Sequence, residues 1–313
     1  MTFVITGATG HIGNNLVRLL LQKGYPVRII TRQIEESIEG LDCEVVFGNF
    51  YDDDVMEKAI HEGDVVMHLA ARIDLKNKKH GETYFINYDS AVKIASFCYQ
   101  RQVKRFIYVS SVDAINRLKN GPIVEKEYLD YEKLVDDYPK SKAMATNAIQ
   151  DFKKMHPDFH LSIVYPAACI GINDYKPSAI GKVIRDSIKG KMEFGIKGHY
   201  NFVDVEDVAF GIVRIAELGK EGSYILSGET HTIMELYDAV NAYLGRKRFK
   251  VEIPTFIARL AIPFYPYLSN QTLRIIQDNS DYRCDKAKEE LGYNPKPFNE
   301  VVKKTAEWFS KRK

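Results

Sequence analysis

The first half of the chain alternates short apolar runs with amphipathic stretches. The apolar runs are rich in β-branched and aromatic residues and predict strands at residues 3–5, 27–31, 43–47, 64–71, 105–110 and 161–165. The amphipathic stretches between them predict helices at residues 12–22, 52–61, 84–101 and 136–155. Strands and helices that alternate at this spacing predict an α/β fold with a doubly wound parallel sheet.

The pattern changes after residue 166. Glycines and prolines punctuate residues 171–198, which predicts a loop-rich region with one helix near 179–189. Further elements are predicted as a strand at 201–205, a helix at 207–218, a strand at 223–226, a helix within 229–245 and helical structure from 255 onward. We therefore predict a first domain over residues 1–170, to which 201–228 return, and a smaller, mainly helical lobe over 171–313.

Composition narrows the class of protein only slightly. The 313 residues are 45% hydrophobic and 27% charged, as in an ordinary globular protein, and the net charge is only +2. We therefore expect neither a nucleic-acid partner nor a membrane partner. The four cysteines are far apart and form no C-x-x-C pair, so we expect them to be reduced in a cytoplasmic protein. A strand predicted to start at Phe3 leaves no room for a signal peptide. The longest apolar-rich stretch, residues 256–268, contains two prolines and Arg259, and we interpret it as a core or lid segment.

A glycine-rich turn follows the first predicted strand. Its sequence is Thr-Gly-Ala-Thr-Gly-His-Ile-Gly, with glycines at 7, 10 and 13, and a helix begins inside it. Such a turn lets the backbone approach a pyrophosphate, and the helix start offers free N–H groups to it. Glycine is common in tight turns, so the pattern alone is weak evidence, but its place between strand and helix favours a dinucleotide site. The predicted contacts are Gly7, Thr9, Gly10, His11, Ile12 and Gly13.

Candidate catalytic groups follow the fifth strand. Ser110 and Ser111 stand at its end, and Tyr138 and Lys142 are four residues apart in the next helix, which places them on one face. A nearby ammonium lowers the pKa of a tyrosine, so the phenol could exchange a proton near neutral pH. A serine hydroxyl could bind the substrate oxygen. The Tyr-x-x-x-Lys spacing recurs at 243–247 and 282–286, which we interpret as pairs on helix surfaces.

Together, these motifs resemble the extended short-chain dehydrogenase/reductase superfamily. The resemblance rests on TGATGHIG (6–13), HLAA (68–71), YVSS (108–111), YPKSK (138–142), NFVDVEDVA (201–209) and DKAKEELGYNPK (285–296), and so covers nearly the whole chain. It implies a Rossmann-type domain with Ser111, Tyr138 and Lys142 as the catalytic residues. Tyr138 would be the acid or base, while Lys142 would hold the nicotinamide ribose. Ser110 would be a neighbour that faces the cofactor or supports the fold, and the alternative for Tyr138 and Lys142 is a purely structural role.

The residues after the second strand bear on the choice of cofactor. NAD enzymes of this fold carry an acidic residue there, whereas this chain has Thr31-Arg32-Gln33. Because Arg32 could bind a 2′-phosphate, we favour NADP(H). NAD(H) stays possible if Arg32 only stacks on adenine. The resemblance adds further cofactor contacts at Asn49, Phe50, Leu69, Ala70, Ala71, Asn87, Tyr138, Lys142 and Pro166.

The substrate is less well defined by the sequence. Relatives that act on nucleotide sugars carry an Asn and an Arg at two positions that correspond to Ala168 and Tyr200 in this chain. Neither Ala168 nor Tyr200 can bind a diphosphate by charge. The chain is more similar to the dihydroflavonol-reductase-like branch, which implies a ketone or aldehyde of an apolar or aromatic molecule. Asp113 follows Ser111 and is either a substrate contact or part of a solvated turn. The aromatic residues of the lobe, either core or ligand contacts, are Phe194, Tyr200, Phe256, Phe264, Tyr265 and Tyr267.

The function expected from these residues is NADP(H)-dependent reduction of a small apolar or aromatic carbonyl compound, with Tyr138 as proton donor. One alternative is a nucleotide-sugar epimerase or dehydratase with bound NAD⁺, and a second is a non-catalytic protein that senses NADP. We expect no metal site, since His156 and His160 are separated by Pro157. The resemblance suggests a homodimer formed by helices 84–101 and 138–155.

Overall fold

The computed structural model describes residues 1–74, 79–117, 119–190, 195–247, 251–262 and 268–312. Its strands are β1 (Phe3–Thr6), β2 (Val27–Thr31), β3 (Glu44–Phe47), β4 (Val65–His68), β5 (Arg105–Val109), β6 (Leu161–Pro166), β7 (Ala168–Ile170), β8 (Gly195–Ile196), β9 (His199–Asp204), β10 (Gly222–Leu226), β11 (Glu229–Thr232) and β12 (Glu252–Ile253). Its α-helices are α1 (His11–Gln22), α2 (Asp53–Ala59), α3 (His80–Tyr84), α4 (Ser90–Gln100), α5 (Asp137–Met155), α6 (Ala179–Ile188), α7 (Val205–Leu218), α8 (Ile233–Tyr243), α9 (Thr255–Ala258), α10 (Asn270–Ile275), α11 (Asp285–Leu291) and α12 (Phe298–Lys311).

Seven strands form the central sheet, in the order β10-β6-β5-β4-β1-β2-β3. Every neighbouring pair in it is parallel. In the register, Thr6 lies beside His68 and His68 lies beside Tyr108, so three strands end at the same level. Ligands of such sheets bind outside the carboxyl ends of the strands. The structure confirms the predicted doubly wound, Rossmann-type fold.

Helices on both faces of the sheet explain why most of its strands are buried throughout and mainly apolar. All residues of β1, β2, β4, β5 and β6 are buried, as expected for parallel strands covered on both sides. On one face, α1 buries Leu16 and Leu20 and packs along α7. Each Å² of apolar surface removed from water contributes about 25 cal/mol to the free energy of folding, so the packing of helices on this sheet is the main source of stability.

A second hydrophobic core lies beyond the end of β6. There β7, β9 and β11 form a three-stranded sheet, which α6, α8 and α12 cover. The centre of this core includes Ile184, Phe202, Leu236 and Val302. Because β7 begins two residues after β6 ends, this lobe sits at the carboxyl edge of the central sheet. It therefore closes over the same edge at which the catalytic motifs stand.

The two cores do not divide the chain at a single residue. Of residues 201–228, α7 and β10 join the first core, with β10 beside β6, whereas β9 belongs to the smaller sheet. The part of the predicted lobe around α11 also packs into the first core, through Tyr282, Leu291 and Tyr293. The hydrophobic pattern indicated that these residues are buried, but it does not show which of the two cores they pack against.

The predicted helix at 84–101 is interrupted. The chain forms α3, then a π-helical turn over Phe85–Asp89, and then α4. The wider turn includes Asn87, whose side chain is buried below the end of β4. Such π turns are often found at functional sites, and helical periodicity in a sequence does not reveal them.

Two sequence interpretations need correction on burial. Tyr282 is not part of a helix-surface pair, because it is only 5% exposed and bridges to Ile123 before α11 begins. Within residues 256–268, Ala258 and Leu268 are buried in the second core, whereas Phe256 and Leu260 are 69% and 76% exposed, so the core alternative holds only for part of this segment. Phe194, Phe264, Tyr265 and Tyr267 lie outside the described residues. In the part of the chain that the structure describes, no helix is both long and apolar enough to cross a bilayer.

Candidate active site

The turn between β1 and α1 lies against neighbouring backbone at two of its glycines. Gly7 has a φ of +74°, and a Cβ there would lie 2.6 Å from the nitrogen of Ala70. A Cβ on Gly13 would lie 2.1 Å from the oxygen of Gly7. Gly10 precedes α1 and supplies no side-chain cap, so the first N–H groups of the helix are left for another partner. This cradle fits the pyrophosphate of a dinucleotide.

The loop after β7 is fixed to the start of α1. The amide of Asn15 donates to the carbonyl of Ile172, and the amide of Asn173 donates to Asn15. His11 Nε2 lies 2.9 Å from the Ile172 carbonyl. Burial lowers the pKa of His11, so its ring is neutral and donates this bond through Nε2. The lobe and the glycine turn therefore share one rigid edge of the site.

A cavity of about 310 Å³ extends from the glycine turn toward the ends of β2 and β3. We call it the adenosine-side cavity. Arg32 lines it and is exposed, and no ion pair or hydrogen bond of its side chain is found among the described residues. The acidic residue in its wall, Glu82, is paired with Arg72 at 2.7 Å. The predicted contacts found here are Gly7, Thr9, Gly10, Arg32, Asn49, Phe50, Leu69, Ala70 and Ala71.

A second cavity, of about 350 Å³, begins at the same glycines and runs to the catalytic motifs. We call it the catalytic cavity. The predicted residues that line it are Gly7, Gly10, His11, Ile12, Gly13, Leu69, Ala71, Ser111, Asp113, Tyr138, Lys142, Pro166, Ala168 and Tyr200. Since one crevice touches both the glycine turn and the three catalytic candidates, a dinucleotide held by the turn can reach them.

Ser111 is oriented by the short helical turn that follows β5. Its hydroxyl oxygen accepts a hydrogen bond from the N–H of Asp113 at 3.1 Å. The hydroxyl proton is therefore available to another acceptor, and Ser111 is hydrogen-bonded to Tyr138. When a carbonyl substrate binds, this hydroxyl can change its acceptor from Tyr138 to the substrate oxygen.

Lys142 is almost fully buried, at 1% exposure. Its Nζ donates to the carbonyl of Val109 at 2.6 Å and lies 4.3 Å from the centre of the Tyr108 ring. Burial lowers the pKa of Lys142 to about 7. His68 lies nearby, and burial together with the lysine lowers its pKa to about 3, so His68 stays neutral. Lys142 is thus the group here whose charge can change near neutral pH.

The tyrosine does not titrate as the sequence led us to expect. Burial raises the pKa of Tyr138, Asp113 raises it further, and only the hydrogen bond from Ser111 opposes them. Lys142 is not among the groups that shift this pKa most, and its Nζ donates to the Val109 carbonyl. The prediction of a lysine-lowered tyrosine pKa is therefore wrong for this structure. A phenol with a raised pKa stays protonated at neutral pH, which suits a proton donor.

Asn87 and Ser110 both make hydrogen bonds to α5, the helix that carries Tyr138. Asn87 lines neither cavity. It accepts from the Arg72 N–H at 2.7 Å and donates to Ser141 at 3.0 Å, so it ties the loop after β4 to α5. Ser110 does line the catalytic cavity, but its hydroxyl lies 2.9 Å from that of Thr146, on α5. Both contacts hold α5, and with it Tyr138, against the sheet.

Sequence reasoning missed several residues of the site. The cavity walls also include Tyr51, Arg72 and Glu82 on the adenosine side, and Cys169, Ile180, Thr272 and Ile275 on the catalytic side. Thr272 and Ile275 belong to α10, which is distant in sequence from every motif, so no local signal marks them. Among the residues that the structure describes, no three metal-ligating side chains come together.

Comparisons with known proteins agree with this geometry. The chain is 26% identical over 327 residues to sterol demethylase protein B of Methylococcus capsulatus, with 100% of this chain and 99% of the relative covered. It is 26% identical over 325 residues to a Synechocystis protein whose name refers to dihydroflavonol 4-reductase, with 98% and 94% covered. The crystal structure of gox2253 superposes with a TM-score of 0.87 at 26% identity, over 99% of this chain and 98% of that one.

A family profile decides the classification. The profile described as "NAD dependent epimerase/dehydratase family" matches residues 3–226, well over half of the chain. The same stretch holds the glycine turn and the three catalytic candidates. The relatives confirm the resemblance to extended short-chain dehydrogenases and reductases. The chain therefore belongs to the NAD-dependent epimerase/dehydratase family, whose members are NAD(P)-dependent dehydrogenases, epimerases and dehydratases, and it is an enzyme of this kind.

Proposed function

We propose that this enzyme uses NADP(H) to reduce a ketone or aldehyde of a small apolar or aromatic molecule. The observation that carries the proposal is the catalytic cavity, which joins the glycine turn to Ser111, Tyr138 and Lys142. Much of its wall is apolar, including Ile12, Ile73, Val109, Ala167, Ala179 and Ile275. A few polar groups within a mainly apolar pocket are typical of sites for small organic ligands.

The protonation of the site suits reduction. When bound, NADPH would supply a hydride to the carbonyl carbon and leave as NADP⁺. Ser111 donates a hydrogen bond to the carbonyl oxygen, and Tyr138 transfers its phenolic proton to that oxygen, which yields the alcohol. Tyr138 then regains a proton from solvent. Its raised pKa keeps the phenol protonated before each turnover. Lys142, with its ammonium at the end of β5, would bind the ribose hydroxyls of the nicotinamide half.

The choice of NADP(H) rests on charge in the adenosine-side cavity. Arg32 stands at its rim with no acidic partner among the described residues. A guanidinium can bind a 2′-phosphate through two parallel hydrogen bonds. The nearby acid, Glu82, is already neutralised by Arg72, so it does not repel a phosphate strongly.

A nucleotide-sugar substrate is disfavoured by the catalytic cavity. Lys142 is the single Lys or Arg among its described lining residues, and its Nζ is already bound to the Val109 carbonyl. Ala168 and Tyr200 carry no charge to hold a diphosphate. An epimerase acting on such sugars would leave two phosphate charges without a partner, which is costly in a cavity of low polarity.

A second candidate runs the same chemistry in the opposite direction. One relative with full coverage is named as a sterol demethylase protein, and the apolar cavity of about 350 Å³ would suit a polycyclic alcohol. In that case the enzyme would oxidise a ring hydroxyl with NAD(P)⁺. Tyr138 would have to act as a base, and its raised pKa, which keeps the phenol protonated, disfavours this.

The test is cofactor consumption by the purified protein. We expect NADPH to be oxidised with members of a panel of aromatic and alicyclic ketones and aldehydes, and Tyr138→Phe to lose this activity while it still binds NADPH. Tyr243→Phe is the matched control and should keep full activity, because Tyr243 is the last residue of α8, Lys247 lies beyond the end of that helix, and the two form no helix-surface pair. Reaction only with hydroxysteroids and NAD(P)⁺ would favour the second candidate. Tightly retained NAD⁺ without net turnover, or partner binding that follows the NADP⁺/NADPH ratio in an inactive protein, would overturn both.

A further inference from the structure

The catalytic cavity has a polar corner next to Ser111. Asp113 lines the cavity two residues after Ser111, and its side chain is 24% exposed. Tyr200, on β9, lines the same cavity and lies close enough to Asp113 for the carboxylate to raise the pKa of its phenol. Burial raises that pKa as well, so Tyr200 is a neutral hydroxyl. The cavity therefore has one carboxylate and one phenol near the reacting oxygen.

Arg117 holds Asp113 from behind. One of its terminal nitrogens donates to Asp113 Oδ1 at 2.6 Å and the other donates to the carbonyl of Ile275 at 2.7 Å. The guanidinium also packs 5.8 Å from the centre of the Tyr282 ring, and its side chain is only 11% exposed. Arg117 lines an adjoining cavity of about 400 Å³ and not the catalytic one, whereas Asp113 lines both. A ligand in the catalytic cavity thus meets the carboxylate and not the guanidinium.

The polar corner has unused hydrogen-bonding capacity. Within the described residues, Asp113 Oδ2 accepts no hydrogen bond and the Tyr200 hydroxyl makes none. A carboxylate can only accept hydrogen bonds, and Asp113 lines the catalytic cavity with one oxygen that has no partner among the described residues. An acceptor of this kind discriminates strongly, because a substrate without a matching donor leaves it unpaired.

We propose that Asp113, held by Arg117, accepts a hydrogen bond from a hydroxyl group of the substrate close to the reacting carbonyl. The inference rests on the proposed function and narrows it to hydroxylated carbonyl compounds. Asp113 is two residues from Ser111 and its N–H binds the Ser111 hydroxyl, so the substrate hydroxyl lies within a few bonds of the carbonyl. The same carboxylate disfavours substrates that carry an anion at this position.

Three ketones that differ in one substituent test the proposal: 2-hydroxy-1-phenylethanone, its methyl ether and phenylglyoxylate. For the wild type we expect kcat/KM with NADPH to be about tenfold or more higher for the hydroxyketone than for the ether, and lowest for the carboxylate. Asp113→Ala should remove the preference for hydroxyl over ether. Asp113→Asn should keep part of that preference, because the amide oxygen still accepts, and should raise kcat/KM for the carboxylate. The control is Asp130→Asn, a surface acid paired with Lys133.

Equilibrium binding separates this inference from the proposed function. If no ketone oxidises NADPH, the reductase assignment fails, and calorimetric titration of the NADP⁺ complex with 1-phenylethane-1,2-diol and its 2-methyl ether decides the inference. Tighter binding of the diol by about tenfold, lost in Asp113→Ala with unchanged NADP⁺ affinity, supports it. The inference is overturned if the wild type shows equal kcat/KM or equal affinity for the hydroxyl compound and its ether, or a higher kcat/KM for the carboxylate. It is also overturned if the preference for hydroxyl over ether persists in Asp113→Ala.

Discussion

Replacing Lys142 by methionine should stabilise the ligand-free protein while it abolishes activity. The two side chains have similar length, and the apolar methionine side chain packs readily in a hydrophobic interior. Burial lowers the pKa of the ammonium from 10.5 to about 7. At about 1.4 kcal/mol for each tenfold change in proton affinity, keeping this lysine costs on the order of 4 to 5 kcal/mol near pH 6.

The variant also loses an interaction. Without Nζ, the Val109 carbonyl has no side-chain donor, and an unpaired buried acceptor costs about 1 to 3 kcal/mol. The net gain expected near pH 6 is therefore about 2 kcal/mol.

The pH dependence isolates the charge from packing. A base with a lowered native pKa binds fewer protons folded than unfolded, so its destabilising effect is full below about pH 7 and fades as the pH rises toward its unfolded pKa. By about pH 9 the cost of the wild-type lysine has fallen to roughly 2 kcal/mol, so the advantage of the variant should shrink to near zero.

Urea unfolding of the ligand-free proteins near pH 6 and near pH 9 measures this change. Lys154→Met, an exposed position on the same helix, is the control and should show no such pH dependence. If Lys142→Met is the less stable protein near pH 6, or if its advantage grows with pH, the argument for a buried, functionally retained ammonium is refuted.

Two further predictions concern the cofactor. Arg32→Ala should weaken NADPH by about ten- to a hundredfold and NADH little, because only the 2′-phosphate needs the charge-assisted contact; equal losses in fluorescence titrations of both cofactors would contradict the assignment. Gly13→Ala should weaken both cofactors and lower stability by about 1 to 3 kcal/mol, since its Cβ would lie 2.1 Å from the Gly7 oxygen. Gly81→Ala, in α3 with open space around its Cβ, is the matched control and should leave cofactor binding unchanged and stability unchanged or slightly higher.

Much of the fold could be predicted because local pattern and tertiary context agree. The apolar runs of the central strands are buried on both faces, and the helices between them show one apolar side, so periodicity alone located them. The glycine turn was readable for a similar reason. Gly7 and Gly13 stand where a side chain would collide with backbone, and only glycine fits.

Contacts between distant segments were not predictable in this way. Arg117 was not identified, because its partners are a nearby carboxylate and the backbone of Ile275, 158 residues further along the chain. The direction of Lys142 was also missed. Helical spacing places it on the face of Tyr138, but the Val109 carbonyl decides where the ammonium points. The homodimer through the helices at 84–101 and 138–155 and the cytoplasmic location stay predictions.

The central claim is that the Tyr138 phenol delivers a proton to a carbonyl oxygen beside the nicotinamide. A crystal structure of the protein with NADP⁺ and an unreactive ketone analogue tests it most directly. The account predicts that the Tyr138 and Ser111 hydroxyls both lie about 3 Å from the analogue oxygen, with the nicotinamide against the same carbonyl carbon. A nicotinamide bound away from Tyr138, or an analogue oxygen that contacts neither hydroxyl, would contradict it.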